Sequence, residues 1–307
     1  ALAAQVSQAV RTAEKENITE TKKRNGRSGI VKLRDNLTVS LWIQLTLLPS
    51  TLWHFFQYPC YGIFLNLAVI PMSSIVMTLG FLALGVSFFW MEGAGLCLLP
   101  VRGIFWLWRQ LCRITSALPG ALWVTGRPKT ACILIFCAGL LVFYILALRR
   151  LRYWKRWYLP ALAVFLAVSL TGLTRRPKQG LEIFFLDVGQ GDGIYIREEG
   201  GHTIMIDGGS SDGWKIGENC LLPAVRWSGA DEIDDWFLSH PDQDHMSGLE
   251  EALTSGFPIK RLWIPVPFKD HETVAVLEGL AAANGTRIIY TAPGLLLSGE
   301  GFSMTCL

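Results

Sequence analysis

The stretch SHPDQDH, residues 239–245, places two histidines and two carboxylates within six positions, directly after an apolar, strand-like run. Neutral imidazole and ionised carboxylate are the usual ligands of zinc and of harder divalent ions. An H-x-D-x-D-H spacing can serve two adjacent ions from one loop, and such a pair can activate a water and clamp a phosphate. We call residues 239–245 the metal loop.

Helix capping is the alternative explanation of the metal loop, because a polar side chain such as that of Asp244 could cap the following helix. A cap does not need two histidines, so capping leaves most of the pattern unexplained. The metal loop therefore predicts a metal site whose ligands are His240, Asp242, Asp244 and His245.

The residues around the metal loop alternate short apolar strands with helical stretches. We predict strands at 181–187, 193–197, 202–206, 233–239, 260–264 and 286–290, and helices near 219–227, 246–254 and 272–283. Strands that alternate with helices of this size are typical of an α/β layered domain. The metal loop then extends from a strand end.

Two further strand ends carry a carboxylate next to glycines, LDVGQGD at 186–192 and IDGG at 206–209. Glycine lets the backbone approach a neighbouring loop closely. Each turn alone is unspecific, because tight-turn geometry explains it as well as catalysis does. In this order with the metal loop, the two turns make Asp192 and Asp207 candidates for residues that act beside the ligands.

The net charge of +3 hides a sharp division along the chain. Residues 1–180 carry 21 Lys and Arg against 5 Asp and Glu, whereas residues 181–307 carry 7 against 20. The first part is therefore +16 and the second −13. Between residues 36 and 174 the one acidic residue is Glu92, and ionised side chains are costly in hydrocarbon. The pattern indicates a membrane domain joined to an acidic, water-soluble domain.

We divide the chain into a polar basic segment, a set of membrane helices, a linker and the soluble domain, at 1–36, 37–174, 175–180 and 181–307. About 20 apolar residues suffice to cross a bilayer. The candidate spans are 37–56, 61–90, 130–148 and 157–174.

Polar positions in the membrane part indicate special roles. Within residues 93–125, Arg102, Arg109 and Arg113 fall near one face of a helix, which suits a helix lying in the membrane interface. Asn66 lies inside an apolar run and is a candidate to face a pore, although a hydrogen bond between packed helices explains it equally well.

The orientation follows from five positive charges in residues 149–156, just before the last span. By the positive-inside rule this loop stays in the cytoplasm, and the last helix then carries the soluble domain to the outer side. We therefore predict a multi-pass protein of the cytoplasmic (inner) membrane. The number of spans stays open, because residues 93–112 either cross the membrane or lie along it.

In this order, the three strand-end segments resemble the metallo-β-lactamase superfamily, and within it the C-terminal domain of the ComEC-type competence proteins, which internalise transforming DNA. The resemblance rests on FLDVGQGD at 185–192, on IDGG and on SHPDQDH followed by Gly248-Leu249. Residues 48–49, 54–59 and 66–71 are similar, less specifically, to the membrane domain of the same proteins.

The resemblance implies an assignment of the ligands. His240 and Asp242 would serve a first metal position, and Asp244 and His245 a second. Asp242 stands where many relatives carry a histidine, so Mn²⁺ or Mg²⁺ becomes as plausible as Zn²⁺. The resemblance further makes Asp244, Asp207 and Asp192 the candidate catalytic residues, the last two by orienting ligands. His271 opens a helix and is expected to be a surface residue.

The resemblance also implies a fold and a function. The fold is a multi-pass α-helical membrane domain followed by an αββα domain, with the chain a fragment that lacks an N-terminal oligonucleotide-binding module and the C-terminal part of the metal domain. The function is DNA uptake, with two divalent ions, zinc or manganese, in a domain that hydrolyses the strand left outside. The expected partners are a single DNA strand, membrane lipid and other competence proteins, and a homo-oligomer is left open.

A second function stays open, that of a membrane-tethered hydrolase acting on a lipid-linked or small phosphoester without a DNA role. The charge of −13 on residues 181–307 argues against broad attraction to a polyanion, which normally needs a basic groove. The sequence therefore favours the transport role over the nuclease role.

Overall fold

The computed structural model of the chain describes residues 29–148, 157–174, 180–212, 215–299 and 302–306. The basic loop at 149–156, residues 175–179 of the predicted linker and residues 1–28 of the predicted basic segment lie outside the described residues. By its contacts the chain divides into two compact units, one made of Ala1–Leu45 and Cys60–Ala121, the other of Thr46–Pro59 and Leu122–Leu307.

Six helices make up most of the described chain before residue 180. They are α1 (Gly29–Phe55), α2 (Gly62–Ser87), α3 (Met91–Cys97), α4 (Leu99–Ser116), α5 (Thr130–Leu148) and α6 (Tyr158–Leu173). Helices α2 and α5 are long and apolar enough to cross a membrane, and α6 is apolar but shorter. The predicted multi-pass domain is therefore not confirmed, because two helices of the described residues meet that criterion.

The polar positions singled out in the sequence lie on these helices. Arg102, Arg109 and Arg113 are exposed on α4, and their spacing of seven and four residues keeps them near one face. Asn66 is half-buried in the first turns of α2. A two-stranded sheet of β1 (Gln57–Pro59) and β2 (Leu122–Val124) was not predicted, because three-residue strands carry too short a pattern to recognise.

A six-stranded sheet organises the chain after residue 180, as the alternating pattern predicted. Its strands are β3 (Glu182–Phe185), β4 (Gly193–Arg197), β5 (Thr203–Asp207), β6 (Ile233–Phe237), β7 (Ile259–Pro265) and β8 (Arg287–Thr291), side by side in that order. The pairs β3–β4 and β4–β5 are antiparallel, whereas the pairs β5–β6, β6–β7 and β7–β8 are parallel. The carboxyl ends of the parallel strands therefore meet at one edge of the sheet.

Helical segments connect the parallel strands. A π-helical turn (Gly217–Leu221) leads into α7 (Leu222–Ser228), and α8 (Gln243–Thr254) and α9 (Glu272–Asn284) follow. A hairpin of β9 (Leu296–Gly299) and β10 (Phe302–Thr305) was not predicted. The α/β class is as predicted, while the four-layer αββα order stays a prediction.

The core of this domain is apolar and lies between the sheet and the helices. The strands and helices contribute Tyr195, Met205, Trp236, Leu262, Leu249 and Leu277, all fully buried. Complete burial of a large apolar side chain stabilises the fold by about 1.5–3 kcal/mol relative to leaving it exposed. This packing fixes the strands from which the polar loops extend.

One buried carboxylate in the middle of β6 joins three neighbouring strands. Asp235 on β6 is 0% exposed and accepts hydrogen bonds from His202 Nε2 at 2.8 Å, Arg261 Nη2 at 2.6 Å and Trp263 Nε1 at 2.6 Å. His202 precedes β5, and the other two donors lie on β7. We call Asp235 and its three donors the strand clamp, because they hold β5, β6 and β7 in register.

Candidate metal centre

The metal loop connects the end of β6 to the start of α8. Asp242 occupies the N-cap position of α8 with an extended backbone, and its side chain makes no capping hydrogen bond. Asp244 lies in the first turn of the helix, where a negative charge interacts favourably with the helix dipole. Side-chain capping therefore accounts for neither carboxylate.

Three of the four predicted ligands come together. His240, Asp244 and His245 each offer one ligand atom, and these atoms lie within 4.8 Å of one another. The two imidazole rings are 3.8 Å apart between centroids. Two imidazoles and a carboxylate at this separation form a donor set that fits a divalent metal ion.

Asp242 lies outside this group of three but next to it. Its Oδ2 is 3.5 Å from His240 Nε2, and its side chain is 70% exposed. The N-cap backbone of α8 turns the carboxylate toward solvent, whereas Asp244 Oδ2 lies 3.5 Å from His245 Nε2. The role of Asp242 as a ligand therefore stays a prediction.

Asp207 supports the metal loop from the end of β5. Its Oδ1 accepts the Ser239 backbone N–H at 2.7 Å, and its Oδ2 accepts the Ser239 hydroxyl at 2.8 Å and lies 3.0 Å from His245 Nδ1. The side chain is 8% exposed. The backbone of Asp207 has φ 55°, a left-handed conformation that is uncommon outside glycine and clusters at functional sites.

Asp192 lies at the mouth of the centre on the loop before β4. Its Oδ2 is 3.9 Å from His245 Nε2, and its side chain is 73% exposed. The structure thus brings both predicted supporting carboxylates to His245, with Asp207 buried on the Nδ1 side and Asp192 exposed on the Nε2 side.

Glycines allow the three loops to approach this closely. A Cβ on Gly191 would collide with the backbone oxygens of Gly209 and Asp244, and a Cβ on Gly209 would lie 2.5 Å from the backbone of Asp244 and His245. Backbone hydrogen bonds from Asp192 N to Asp244 O and from Gly209 N to Asp192 O, both 3.3 Å, close the contact. The glycines predicted from tight turns are therefore needed for loop packing.

Ser239 was not predicted to have a role in the centre. Its hydroxyl lies 2.8 Å from His240 Nδ1 and 2.8 Å from Asp207 Oδ2, between a predicted ligand and the supporting carboxylate. The one signal available was a hydroxyl residue directly before a predicted histidine ligand. His271, in contrast, is exposed and accepts a hydrogen bond from Thr273 N at the start of α9, as expected of a surface residue.

Comparison with known proteins divides the chain in the same order as the sequence does. Residues 3–150 match the family model of the Competence protein, and residues 186–266 match that of the metallo-β-lactamase superfamily. The superfamily match supports the α/β metallo-β-lactamase fold and implies divalent metal binding. The competence match implies association with a membrane.

Two individual proteins from Bacillus subtilis are similar to the chain. The ComE operon protein 3 of strain 168 is 25% identical over an alignment of 249 residues. The alignment covers 75% of this chain and 31% of that relative's length. The crystal structure of the metallo-β-lactamase fold protein YhfI is 19% identical with a TM-score of 0.30, over 41% of this chain and 50% of that one.

Proposed function

We propose that this chain takes part in the uptake of transforming DNA across the cytoplasmic membrane. The premise is that it joins a competence-protein region to a metallo-β-lactamase superfamily domain, as ComEC-type proteins do. The membrane helices pass a single strand inward. The metal domain, on the outer side, cleaves phosphodiester bonds of the strand that stays behind.

The observation that carries this proposal is the group of His240, Asp244 and His245 in a chain whose preceding region matches the competence family. A metal-ligand group of this composition suits phosphoester hydrolysis. A membrane-associated competence region supplies the reason for the substrate to be DNA. Other competence proteins and lipid are further proposed partners, and a second copy of the chain is an additional candidate.

Different side chains have different proposed roles at the metal centre. We assign His240, Asp244, His245 and the exposed Asp242 to hold two divalent ions, zinc or manganese. Such ions supply Lewis acidity and positive charge opposite a phosphodiester. Asp207 holds His245 from the buried side, while the exposed Asp192 faces the solvent from which a substrate approaches.

The negative charge of the metal domain favours a second candidate, a membrane-tethered hydrolase of a lipid-linked or small phosphoester. Residues 181–307 carry −13, and two divalent ions offset only part of it. A long polyanion is repelled by such a surface, whereas a small phosphoester presents few charges. The charge therefore argues against the nuclease role of this domain. The transport role, which is proposed for the membrane helices, is better supported.

DNA uptake by variants of the two halves tests the proposed division of labour. In a transformable host, Asn66→Leu should lose most uptake of labelled DNA at normal abundance in the membrane, because in the proposed conduit the amide faces the path of the strand. Asp244→Ala should keep uptake and change chiefly the fate of the other strand. Asn66→Gln, which retains the amide, serves as the matched control.

A helix–helix hydrogen bond is the competing role of Asn66, and its loss costs about 1 kcal/mol or less. Normal uptake by Asn66→Leu would remove this residue from the path. Normal uptake by every variant of the membrane half would leave the tethered hydrolase as the better function.

Reporter fusions test the orientation. A reporter that is active only outside the cytoplasm should be active when it is fused after Gly180. The reason is that the five positive charges in residues 149–156 hold the preceding loop in the cytoplasm. The same reporter fused after residue 152, within that loop, is the control and should give the opposite result. A cytoplasmic signal after Gly180 would exclude cleavage of a strand left outside.

A further inference from the structure

We propose that Ser239 is a positioning residue that fixes the tautomer of His240, so that the single carboxylate of Asp207 orients both histidines of the centre. The proposal rests on the proposed metal site and adds a residue to it. Ser239 touches no reacting atom in this role, since it acts through His240.

The direction of each hydrogen bond follows from which groups can donate. An ionised carboxylate only accepts, so the Ser239 hydroxyl proton must point to Asp207 Oδ2, 2.8 Å away. Ser239 Oγ then has only lone pairs to offer His240 Nδ1, also 2.8 Å away. The proton of neutral His240 must therefore lie on Nδ1, which leaves the lone pair of Nε2 free.

His245 contacts Asp207 directly, with no hydroxyl between them. Its Nδ1 lies 3.0 Å from Asp207 Oδ2 and 3.5 Å from Ser239 Oγ, so its proton goes to the carboxylate. The Nε2 atoms of both rings are then unprotonated, and they lie on the side of the acidic loop residues, His240 Nε2 at 3.5 Å from Asp242 and His245 Nε2 at 3.5 Å from Asp244.

Ser239 is well placed for this role because its own position is fixed. Its backbone N–H donates to Asp207 Oδ1 at 2.7 Å, so backbone and hydroxyl bind the two oxygens of one carboxylate. Histidine ligands almost always donate their second ring N–H, and loss of that partner typically costs about 10- to 100-fold in metal affinity. Ser239 is itself exposed, so water can replace part of the contact, and we expect about 10-fold.

The test uses the full chain, purified in detergent with ¹⁵N-labelled histidine, in variants Ser239→Ala and Ser239→Thr. The chain has only five histidines, so long-range ¹H–¹⁵N spectra of the metal-free protein can report each tautomer. In spectra recorded at a pH of about 8, the neutral form of His240 should carry its proton on Nδ1 in the wild type and the Thr variant. In Ser239→Ala it should shift toward Nε2, while His245 stays unchanged.

Zinc affinity, measured by competition with a chromophoric chelator, is the second measurement. Ser239→Ala should bind Zn²⁺ about 10-fold more weakly, and Ser239→Thr should restore binding because it retains the hydroxyl. Ser255→Ala, which removes a hydroxyl bonded to Ala252 O at the far end of α8, is the matched control and should change neither measurement.

The two measurements separate the failure of this proposal from that of the metal site. An unchanged His240 tautomer in Ser239→Ala, or a Thr variant that behaves like Ala, overturns the role of Ser239. A wild-type chain without affinity for Zn²⁺ or Mn²⁺ contradicts the proposed function, and the tautomer spectra of the metal-free protein still decide the role of Ser239.

Discussion

Replacing both Asp244 and His245 with alanine should abolish metal binding at the position that these two residues form and lower zinc affinity by more than 100-fold. A lost supporting partner already costs about 10- to 100-fold in affinity, and this variant removes two direct ligands. Metal analysis of the purified full chain, before and after dialysis against Zn²⁺ or Mn²⁺, measures the stoichiometry. An unchanged stoichiometry would refute the assignment of these ligands.

The double variant should stay folded, which separates loss of ligands from loss of structure. Alanine is a good helix former, and the buried residues of α8 that pack in the core, Met246 and Leu249, are untouched. Replacing Glu250 and His271 with alanine likewise removes one carboxylate and one imidazole, but outside the metal loop. This control should bind metal like the wild type.

Gly209→Ala should weaken zinc binding about 10- to 100-fold without changing any ligand, because it separates the metal loop from the supporting carboxylate of Asp207. The new Cβ would lie 2.5 Å from the backbone of Gln243, Asp244 and His245, and backbone cannot swing aside as a flexible side chain can. Overpacking of this kind costs about 1–3 kcal/mol in stability. The two loops must separate, and the metal loop then moves away from Asp207.

Chelator competition and thermal unfolding followed by tryptophan fluorescence measure the two effects of Gly209→Ala. Gly279→Ala is the matched control, because a Cβ there meets no atom within 4 Å in the middle of α9. That change should stabilise the protein by about 0.5–1 kcal/mol and leave zinc affinity as it is. Wild-type affinity in Gly209→Ala would mean that the close approach of the loops is not required.

The order of strands and helices in the metal domain could be predicted because each strand is a short apolar run bounded by turn residues. All six predicted strands are present, with ends that differ by a few residues because strand ends depend on pairing with a neighbour. The antiparallel pair of β9 and β10 was missed, since strands of four residues give little periodicity. The multi-pass membrane part stays a prediction, because apolar composition alone does not separate a spanning helix from a kinked or interfacial one.

The grouping of His240, Asp244 and His245 could also be predicted, because the three residues lie within one loop. Asp242 was grouped with the other ligands, and only the backbone at the start of α8 reveals that it points toward solvent. The bond between Asp207 and Ser239 joins residues 32 apart in sequence. It depends on the pairing of β5 with β6, which no local pattern reveals.

The strand clamp has a consequence for how the proposed metal centre would gain and lose an ion. Asp235 and its donors hold β5, β6 and β7 together through contacts that involve no predicted ligand. Small metal domains that lack such support unfold when the ion leaves, because binding energy and folding energy are then the same. Here the scaffold should persist through a cycle of metal removal and reloading, so an ion lost from the proposed centre can be replaced without refolding of the domain.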